Sequence, residues 1–262
     1  MIRQPQIVEI TDIITETPTI KTFKFDWDFE KFGKPNPGEF LMVWNFSNEK
    51  PMSISQINDN QLAITVKNIG EFTSQLHSLK IGDEIGIRGS YGRGFDNSFK
   101  GKKIIAIGGG VGTAPINAIA HDLAKNNDVS VISAAQNKDE LLFIDSDEFK
   151  VYPCTDDGSF GFEGFATDCL SDLLETSSYN FAFVCGPEIM MKGIFEILEA
   201  SSIPAQYSLE RYMKCAIGLC GQCCVDNTGW RICMEGPVFE NSKIKEIVEF
   251  GKYRRDASGV KY

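Results

Sequence analysis

Four cysteines near the C-terminus constrain the fold of this 262-residue chain more than any other feature. Cys215, Cys220 and Cys223 form a C-x4-C-x2-C pattern, and Cys233 follows downstream. Gly218 and Gly221, between the first three cysteines, lack a Cβ atom and let a backbone fold tightly around a bound group. The pattern predicts a loop that wraps around a metal centre.

The spacing of these cysteines distinguishes between the metal centres that thiolates bind. C-x4-C-x2-C with a later fourth cysteine is the spacing that holds [2Fe–2S] clusters in plant-type ferredoxins. Zinc sites usually contain two C-x2-C-like pairs, and only one is present here. We therefore expect Cys215, Cys220, Cys223 and Cys233 to bind a [2Fe–2S] cluster, so that the chain carries electrons. A structural zinc site is the alternative.

The composition limits the surroundings in which such a centre works. A hydrophobic content of 42% and a charged content of 24% are ordinary for a soluble globular protein. The net charge of -10 disfavours nucleic-acid binding, because phosphate backbones require a basic surface. We find no apolar run long enough for a membrane span and no apolar signal core at the N-terminus. Eight cysteines without a signal peptide then predict a cytoplasmic protein whose thiols stay reduced.

The first hundred residues predict a small closed or partly closed β-barrel. Short β-branched and aromatic runs alternate there with turns rich in Pro, Gly, Asn and Asp. The predicted strands cover residues 7–10, 20–25, 40–44 and 62–66, with a further strand over 84–88. Gly82-Asp83 is predicted as a hairpin turn leading into that last strand. A change of composition at 97–101 marks a domain boundary.

After that boundary the pattern changes to alternating strands and helices. Buried strands are predicted over 103–107, 129–134 and 181–184, and helices over 114–125 and 188–200. This order is typical of a doubly wound α/β domain with a parallel sheet. A charged tail over 243–251 is also predicted to be helical. We expect residues 1–99 to form the barrel domain, 100–205 the α/β domain, and 206–262 the cysteine segment with its tail.

Two strand-to-helix junctions in the second domain could bind a nucleotide. Gly108-Gly109-Gly110-Val111-Gly112-Thr113-Ala114-Pro115 would bring backbone amides and a helix N-terminus to a phosphate. Cys185-Gly186-Pro187-Glu188-Ile189-Met190 follows a buried strand at the sheet edge where α/β domains bind ligands. Taken alone, the glycine junction could equally be a tight turn, and the Cys185 junction is better explained as a strand-to-helix turn with a buried cysteine.

Together, the two junctions resemble the nicotinamide-nucleotide domain of the ferredoxin–NAD(P) reductase superfamily, with its G-G-G-x-G-x-A-P and C-G-P-x-x-M motifs. The resemblance implies that Cys185 lies beside a nicotinamide ring. The NAD-binding residues that it implies are Gly108, Gly109, Gly110, Gly112, Thr113, Ala114, Pro115, Cys185, Gly186, Pro187 and Met190.

The barrel contains motifs similar to the FAD site of the same superfamily. Lys50-Pro51-Met52-Ser53 resembles its R-P-x-S motif, which implies that Lys50 meets a flavin phosphate and Ser53 the isoalloxazine ring. Lysine keeps the charge of the arginine but not its two-pronged fork. Taken alone, the motif could be an exposed turn. The further FAD contacts that the resemblance implies are Thr65, Val66 and Lys67 at a strand end, and Gly70, Phe72 and Thr73 at a helix start.

Barrel, nucleotide domain and cysteine segment in this order resemble the electron-transfer subunits of NAD-dependent dihydroorotate dehydrogenase. The most specific matches are the stretches 38–43, 155–161, 208–210 and 233–239. The resemblance implies a heterotetramer in which an FMN-containing catalytic subunit oxidises dihydroorotate, and electrons pass through [2Fe–2S] and FAD of this chain to NAD+. It therefore implies no acid–base catalytic residue here. Cys224 falls at a variable position, and the short interval before Cys233 predicts a tight hairpin turning at 227–229.

Two other functions remain open from the sequence. Related FAD and [2Fe–2S] subunits serve hydrogenases, sulfite reductases or transhydrogenases, and share the cysteine motif. A zinc-stabilised, non-enzymatic nucleotide-binding module would explain the cysteines without electron transfer. The preference for NAD over NADP follows only from the family resemblance.

Overall fold

A computed structural model of the protein describes residues 4–143 and 145–262. Within these ranges, six antiparallel strands close into a barrel in the order β1-β2-β5-β4-β3-β6, which confirms the predicted N-terminal barrel. Its strands are β1 (Gln6–Thr17), β2 (Ile20–Asp26), β3 (Phe40–Trp44), β4 (Glu49–Asn58), β5 (Gln61–Lys67) and β6 (Glu84–Tyr91). Helix α1 (Phe29–Phe32) follows β2, and helix α2 (Glu71–Ser78) follows β5.

Strand β3 connects two hydrophobic cores because successive side chains point to opposite faces of a strand. Leu41 and Val43 point into the barrel and pack in its own core. Phe40 and Met42 point outward and pack with Cys223 and other residues of the cysteine segment. The outer wall of the barrel therefore forms part of the environment of that segment.

The turn at Gly82-Asp83 differs from the prediction, because it joins helix α2 to β6 and is not a hairpin. Its backbone instead meets β1, where the Gly82 N–H donates to the Ile10 carbonyl and the Ile10 N–H donates to the Asp83 carbonyl, both at 2.9 Å. The Gly-Asp pair signalled a turn correctly. It carried no information about the helix that precedes it.

The described residues that follow the barrel form a seven-stranded sheet in the order β10-β9-β8-β7-β11-β12-β13. All neighbouring strands are parallel except the last pair, which is antiparallel. The strands are β7 (Lys103–Gly109), β8 (Asp128–Ala135), β9 (Lys150–Thr155), β10 (Phe162–Glu163), β11 (Phe181–Cys185), β12 (Ala205–Ser208) and β13 (Val238–Glu240).

Helices cover both faces of this sheet, which confirms the doubly wound prediction. Helix α3 (Thr113–Ala124) packs with Ile104 and Ala106 on one face. Helices α4 (Ala166–Thr176) and α5 (Glu188–Ala200) pack with Ile105 and Ile107 on the other. The chain order reverses between β7 and β11, which is the position where open α/β sheets bind nucleotides.

The cysteine segment leaves the sheet after β12 and returns to it in β13, so the sheet continues past residue 205. Helix α6 (Asn241–Ile244) follows, and the helix predicted over 243–251 is wrong beyond Ile244. Turns replace it, with Ile247 N–H donating to the Ile244 carbonyl and Phe250 N–H donating to the Ile247 carbonyl. All three side chains are buried in the core that holds the cysteine segment. None of the helices in the described ranges is long and apolar enough to span a membrane.

Candidate functional site

The two glycine-containing junctions lie side by side at the carboxyl edge of the sheet. Gly108 pairs with Cys185 across the parallel strands β7 and β11. A Cβ atom on Gly112 would lie 2.7 Å from the Cα of Gly186, and one on Gly109 would lie 2.5 Å from the Met190 sulfur. The glycines are therefore required for contact between the two junctions. Sequence order predicted this pairing, and the structure places the two motifs in one crevice.

This crevice combines the N-terminal ends of helices α3 and α5 at the reversal of strand order. Both ends present backbone N–H groups with a positive dipole end, which favours an anionic ligand such as a pyrophosphate. Burial raises the pKa of the Cys185 thiol to about 12, although a hydrogen bond with Ser208 acts in the opposite direction. Cys185 therefore presents a neutral thiol at the predicted nicotinamide position.

The close approach of the two junctions makes Gly112→Ala a sharp test of the nucleotide crevice. The added methyl would meet backbone atoms of Gly186 and Cys185 at 2.7–2.8 Å, and neither can move aside without displacing the other junction. We expect NADH affinity to fall at least about tenfold, equivalent to about 1.4 kcal/mol, with bound flavin retained. The measurement is a titration of flavin reduction by NADH. Val111→Ala, at a side chain 37% exposed in the same loop, is the control, and equal affinities in the two variants would contradict the prediction.

The predicted flavin motif lies within β4 and is paired with β3, so it is a strand and not an exposed turn. Lys50, Pro51, Met52 and Ser53 are all partly buried. The Lys50 ammonium lies 4.9 Å from the ring centroid of Tyr212, in the segment that leads to the cysteines. This cation–π contact ties the motif to the neighbourhood of Cys215.

The other predicted flavin residues use their side chains within the protein. The Thr65 hydroxyl lies 2.8 Å from the Thr22 hydroxyl, and Val66 and Phe72 are buried in the barrel core. The Lys67 ammonium lies 3.0 Å from both carboxylate oxygens of Glu140, which links the barrel to the α/β domain. These residues can offer a ligand mainly their backbone groups.

The start of helix α2, where the sequence predicts a pyrophosphate-binding turn, is capped by Thr73. The Thr73 hydroxyl accepts hydrogen bonds from the N–H groups of Ile69 and Gly70, at 2.9 and 3.0 Å. Gly70 is extended, and a Cβ atom there would have no neighbour within 4 Å. Its open side leaves room for a ligand against the backbone.

The four predicted cluster ligands form two pairs in space. Cys215 lies next to Cys220, whose N–H donates to the Cys215 sulfur at 3.5 Å. Cys223 lies next to Cys233, whose N–H donates to the Cys223 sulfur at 3.5 Å.

Backbone N–H groups favour the thiolate at one sulfur of each pair, Cys215 and Cys223, whereas the hydrogen bond with Cys223 and burial raise the pKa of Cys233. Burial opposes ionisation of Cys215, but N–H groups of Cys220, Ile217 and Leu219 lower its pKa to about 7. The hydrogen bond from the Cys233 thiol, together with nearby backbone N–H groups, lowers the pKa of Cys223 to about 6. Hydrogen bonds directed at sulfur are the contacts that tune iron–sulfur clusters. The loop therefore fits a centre with thiolate ligands.

Two pairs of thiols match a two-iron cluster, which takes two thiolates on each iron. In the described part of the chain, no three His, Cys, Asp or Glu side chains converge into a set that could hold one metal ion. A mononuclear zinc site would need four ligands around a single point. The two pairs fit the ligand set of a [2Fe–2S] cluster.

The surroundings of the two adjacent cysteines, Cys223 and Cys224, differ. Cys223 is paired with Cys233, whereas burial raises the pKa of the neighbouring Cys224 thiol. The backbones of Cys224 and Arg231 form an antiparallel β-bridge. The Val225 N–H donates to the Trp230 carbonyl at 2.9 Å. The turn between them has Asn227 and Gly229 at positive φ values of 71° and 68°. This tight hairpin confirms the turn predicted over 227–229.

A buried ion triad joins the nucleotide crevice to the cysteine segment, and no sequence motif revealed it. Arg211 binds Glu188 of the Cys185 junction and, at 2.7 Å, Glu249 of the C-terminal tail. Glu249 also accepts the Asp226 N–H, and Glu188 the Gly251 N–H. The side chains of all three charged residues are at most 6% exposed. The pairing depends on residues far apart in the chain, so no local signal could identify it.

Comparisons with known proteins agree with this geometry. Residues 210–245 match the family model described as the iron-sulfur cluster binding domain of dihydroorotate dehydrogenase B. The chain is 48% identical over 261 residues to a probable dihydroorotate dehydrogenase B (NAD(+)), electron transfer subunit, of Methanothermobacter thermautotrophicus, covering 97% of this chain and 96% of that one. It is 47% identical over 262 residues to the protein of the same description from Methanocaldococcus jannaschii, covering 98% of both chains.

A solved structure supports the fold over nearly the whole chain. The structure of an NADH-dependent reduced ferredoxin-NADP oxidoreductase, described in relation to flavin-based electron bifurcation, has a TM-score of 0.81 with this chain. The match covers 94% of this chain and 93% of the solved chain, at 24% sequence identity. At that identity the likeness shows the architecture of barrel and α/β domain.

Proposed function

Because the chain belongs to the family of dihydroorotate dehydrogenase B (NAD(+)) electron transfer subunits, we propose that it carries electrons from an FMN-containing catalytic partner to NAD+ in pyrimidine biosynthesis. The observation that carries the proposal is the pairing of four thiols, with backbone N–H groups directed at their sulfurs, inside the segment that the family model matches. FAD supplies the exchange between one-electron transfer at a [2Fe–2S] cluster and hydride transfer at a nicotinamide.

In this proposal Cys215, Cys220, Cys223 and Cys233 hold the cluster. The segment that bears them packs against the outer wall of the barrel through Phe40 and Met42. The hydrophobic contact excludes water from the inner side of the cysteine loop. Its outer side presents Leu219, which is 77% exposed between the first two cysteines.

The barrel would hold FAD through its strand β4 and the start of helix α2. Lys50 supplies the cation for a flavin phosphate, with its direction set by the ring of Tyr212. The N–H groups in the first turn of helix α2, after Gly70, supply neutral donors at a helix N-terminus. The proposed FAD contacts are Lys50, Pro51, Met52, Ser53, Thr65, Val66, Lys67, Gly70, Phe72 and Thr73.

The crevice between the two junctions would hold the nicotinamide nucleotide. Glycine backbone at the end of β7 lets the pyrophosphate approach the start of helix α3, and Cys185 lies at the end of β11 for the nicotinamide ring. The proposed contacts are Gly108, Gly109, Gly110, Gly112, Thr113, Ala114, Pro115, Cys185, Gly186, Pro187 and Met190. The division at residues 99/100 and 205/206 remains part of the proposal.

A catalytic partner subunit follows from the description of the relatives as electron transfer subunits. We propose a heterotetramer of two such chains around a catalytic dimer, in the cytoplasm. The free cysteines of the chain suit a reducing compartment. Capture of the native partner tests the assembly, and recovery of hydrogenase or sulfite reductase subunits in place of a dihydroorotate-oxidising subunit would refute it.

Anaerobic purification tests the cofactors directly. We expect a coloured protein that contains FAD, iron and acid-labile sulfide, with flavin bands over a broad iron–sulfur absorbance. NADH should bleach both components in the absence of a partner. A colourless preparation that contains zinc instead of iron would establish the zinc-stabilised module and refute electron transfer.

A further inference from the structure

Arg88 links the barrel directly to the cysteine loop. It lies on β6 opposite Met42 of β3, so both side chains point out of the barrel toward the cysteine segment. One guanidinium nitrogen, Nη1, donates to the carbonyl oxygen of Cys215 at 3.1 Å. The side chain is only 12% exposed. A cation fixed to the closed barrel thus contacts the first predicted cluster ligand.

The orientation of the guanidinium is set by two further contacts. Glu49 on β4 accepts from Nε at 2.8 Å and from Nη2 at 2.5 Å, which is a two-pronged pairing. The same Nη1 that reaches Cys215 also lies 3.2 Å from the Tyr91 hydroxyl. With the fork held by Glu49, Nη1 can point only toward the cysteine loop. Lysine could provide the charge but not this fixed direction.

The charge of Arg88 would act on a centre bound at Cys215. Reduction adds one negative charge to such a centre, and a nearby cation in a partly buried site stabilises that charge. A donor to the carbonyl of a ligating residue acts in the same direction, because contacts around the ligands tune a metal centre. Glu49 offsets part of this effect, since it brings a carboxylate to the same place.

We propose that Arg88 is a positioning residue that holds the Cys215 end of the cysteine loop against the flavin-binding barrel and raises the reduction potential of the cluster. The proposal rests on the proposed function, because it requires a cluster at the four cysteines. It goes beyond that function by assigning the coupling between barrel and cluster to one ion pair, Arg88 with Glu49. It also predicts opposite effects for the two partners.

The test is a redox titration of the cluster, followed by electron paramagnetic resonance, on the anaerobically purified holoprotein. In Arg88→Gln the carboxylate of Glu49 remains without its cation, and we expect the equilibrium constant for cluster reduction to fall about tenfold, or about 59 mV for one electron. In Glu49→Gln the cation remains without its carboxylate, so the potential should rise. Arg88→Lys retains the charge and should keep the potential closer to the wild type than Arg88→Gln does.

Iron content and the midpoint potential together decide the outcome. A wild-type potential in an iron-loaded Arg88→Gln protein would overturn the proposal, as would shifts of the same sign in Arg88→Gln and Glu49→Gln. If Arg88→Gln does not retain iron, Glu49→Gln becomes the test. An unchanged cluster potential in Glu49→Gln would overturn the proposal, and a raised potential would support it. A wild-type protein without iron would instead refute the proposed function, so the two failures are distinguishable.

Discussion

Cys223→Ala is expected to remove the iron–sulfur cluster, whereas Cys224→Ala is expected to leave it in place. Cys223 lies beside Cys233 and receives its N–H and thiol hydrogen bonds, which lower the pKa of Cys223 to about 6. Burial raises the pKa of the adjacent Cys224. The position of Cys223 beside Cys233 therefore assigns the ligand to Cys223, because two thiolates must converge on each iron of the cluster.

The measurement for this pair is the iron and acid-labile sulfide content of each variant, purified without oxygen. We expect Cys224→Ala to keep about two iron atoms per chain and Cys223→Ala to retain almost none. FAD content serves as the folding control, since the core inside the barrel contains no residue of the cysteine segment. Loss of iron from Cys224→Ala with retention in Cys223→Ala would show that the ligand assignment is wrong.

Arg211→Met is expected to cause a large loss of stability. It would leave Glu188 and Glu249 as two like charges buried without their cation. Breaking a buried ion pair by removing one partner costs about 3–5 kcal/mol. For a chain of this size, that loss corresponds to a fall in melting temperature of roughly 10 °C.

Thermal unfolding of the cofactor-loaded protein measures this effect, with Arg254→Met as the matched control. Arg254 also contacts Glu188, at 3.8 Å, but its side chain is 29% exposed and its ion pairs are screened by water. Its replacement should cost less than about 1 kcal/mol. Similar melting temperatures for the two variants would mean that the buried triad contributes little. The loss in Arg211→Met should also weaken NADH binding, because Glu188 holds the Cys185 junction.

Sequence reasoning predicted those parts of the molecule whose signals are local. The strand 40–44 and the helix 188–200 were predicted with the bounds that the structure shows, because hydrophobic runs there end at clear turn residues. The cysteine spacing predicted a set of thiols that the structure brings together in two pairs. The two nucleotide junctions were predicted jointly because their order along the chain matches a known pattern.

The parts that escaped prediction depend on contacts between distant residues. The tail after Ile244 was predicted to be helical from its charge pattern. It forms turns because Ile247 and Phe250 pack into the core while Glu249 is held by Arg211. The contact between Arg88 and Cys215 spans 127 positions in the chain and belongs to no motif. Such contacts are specified by tertiary packing, which periodicity and spacing do not report.

The insertion of the cysteine segment between β12 and β13 is expected to make the edge of the sheet sensitive to removal of the metal. Strand β13 has three residues, so few hydrogen bonds oppose the entropy of closing the long connection over residues 209–237. A cluster that cross-links positions 215 to 233 shortens that connection in the same way as a covalent staple. We therefore expect amide hydrogen exchange in β13 to accelerate when iron is removed, while β7 and β11 in the middle of the sheet stay protected. The iron centre would then stabilise the edge strand of the nucleotide-binding sheet.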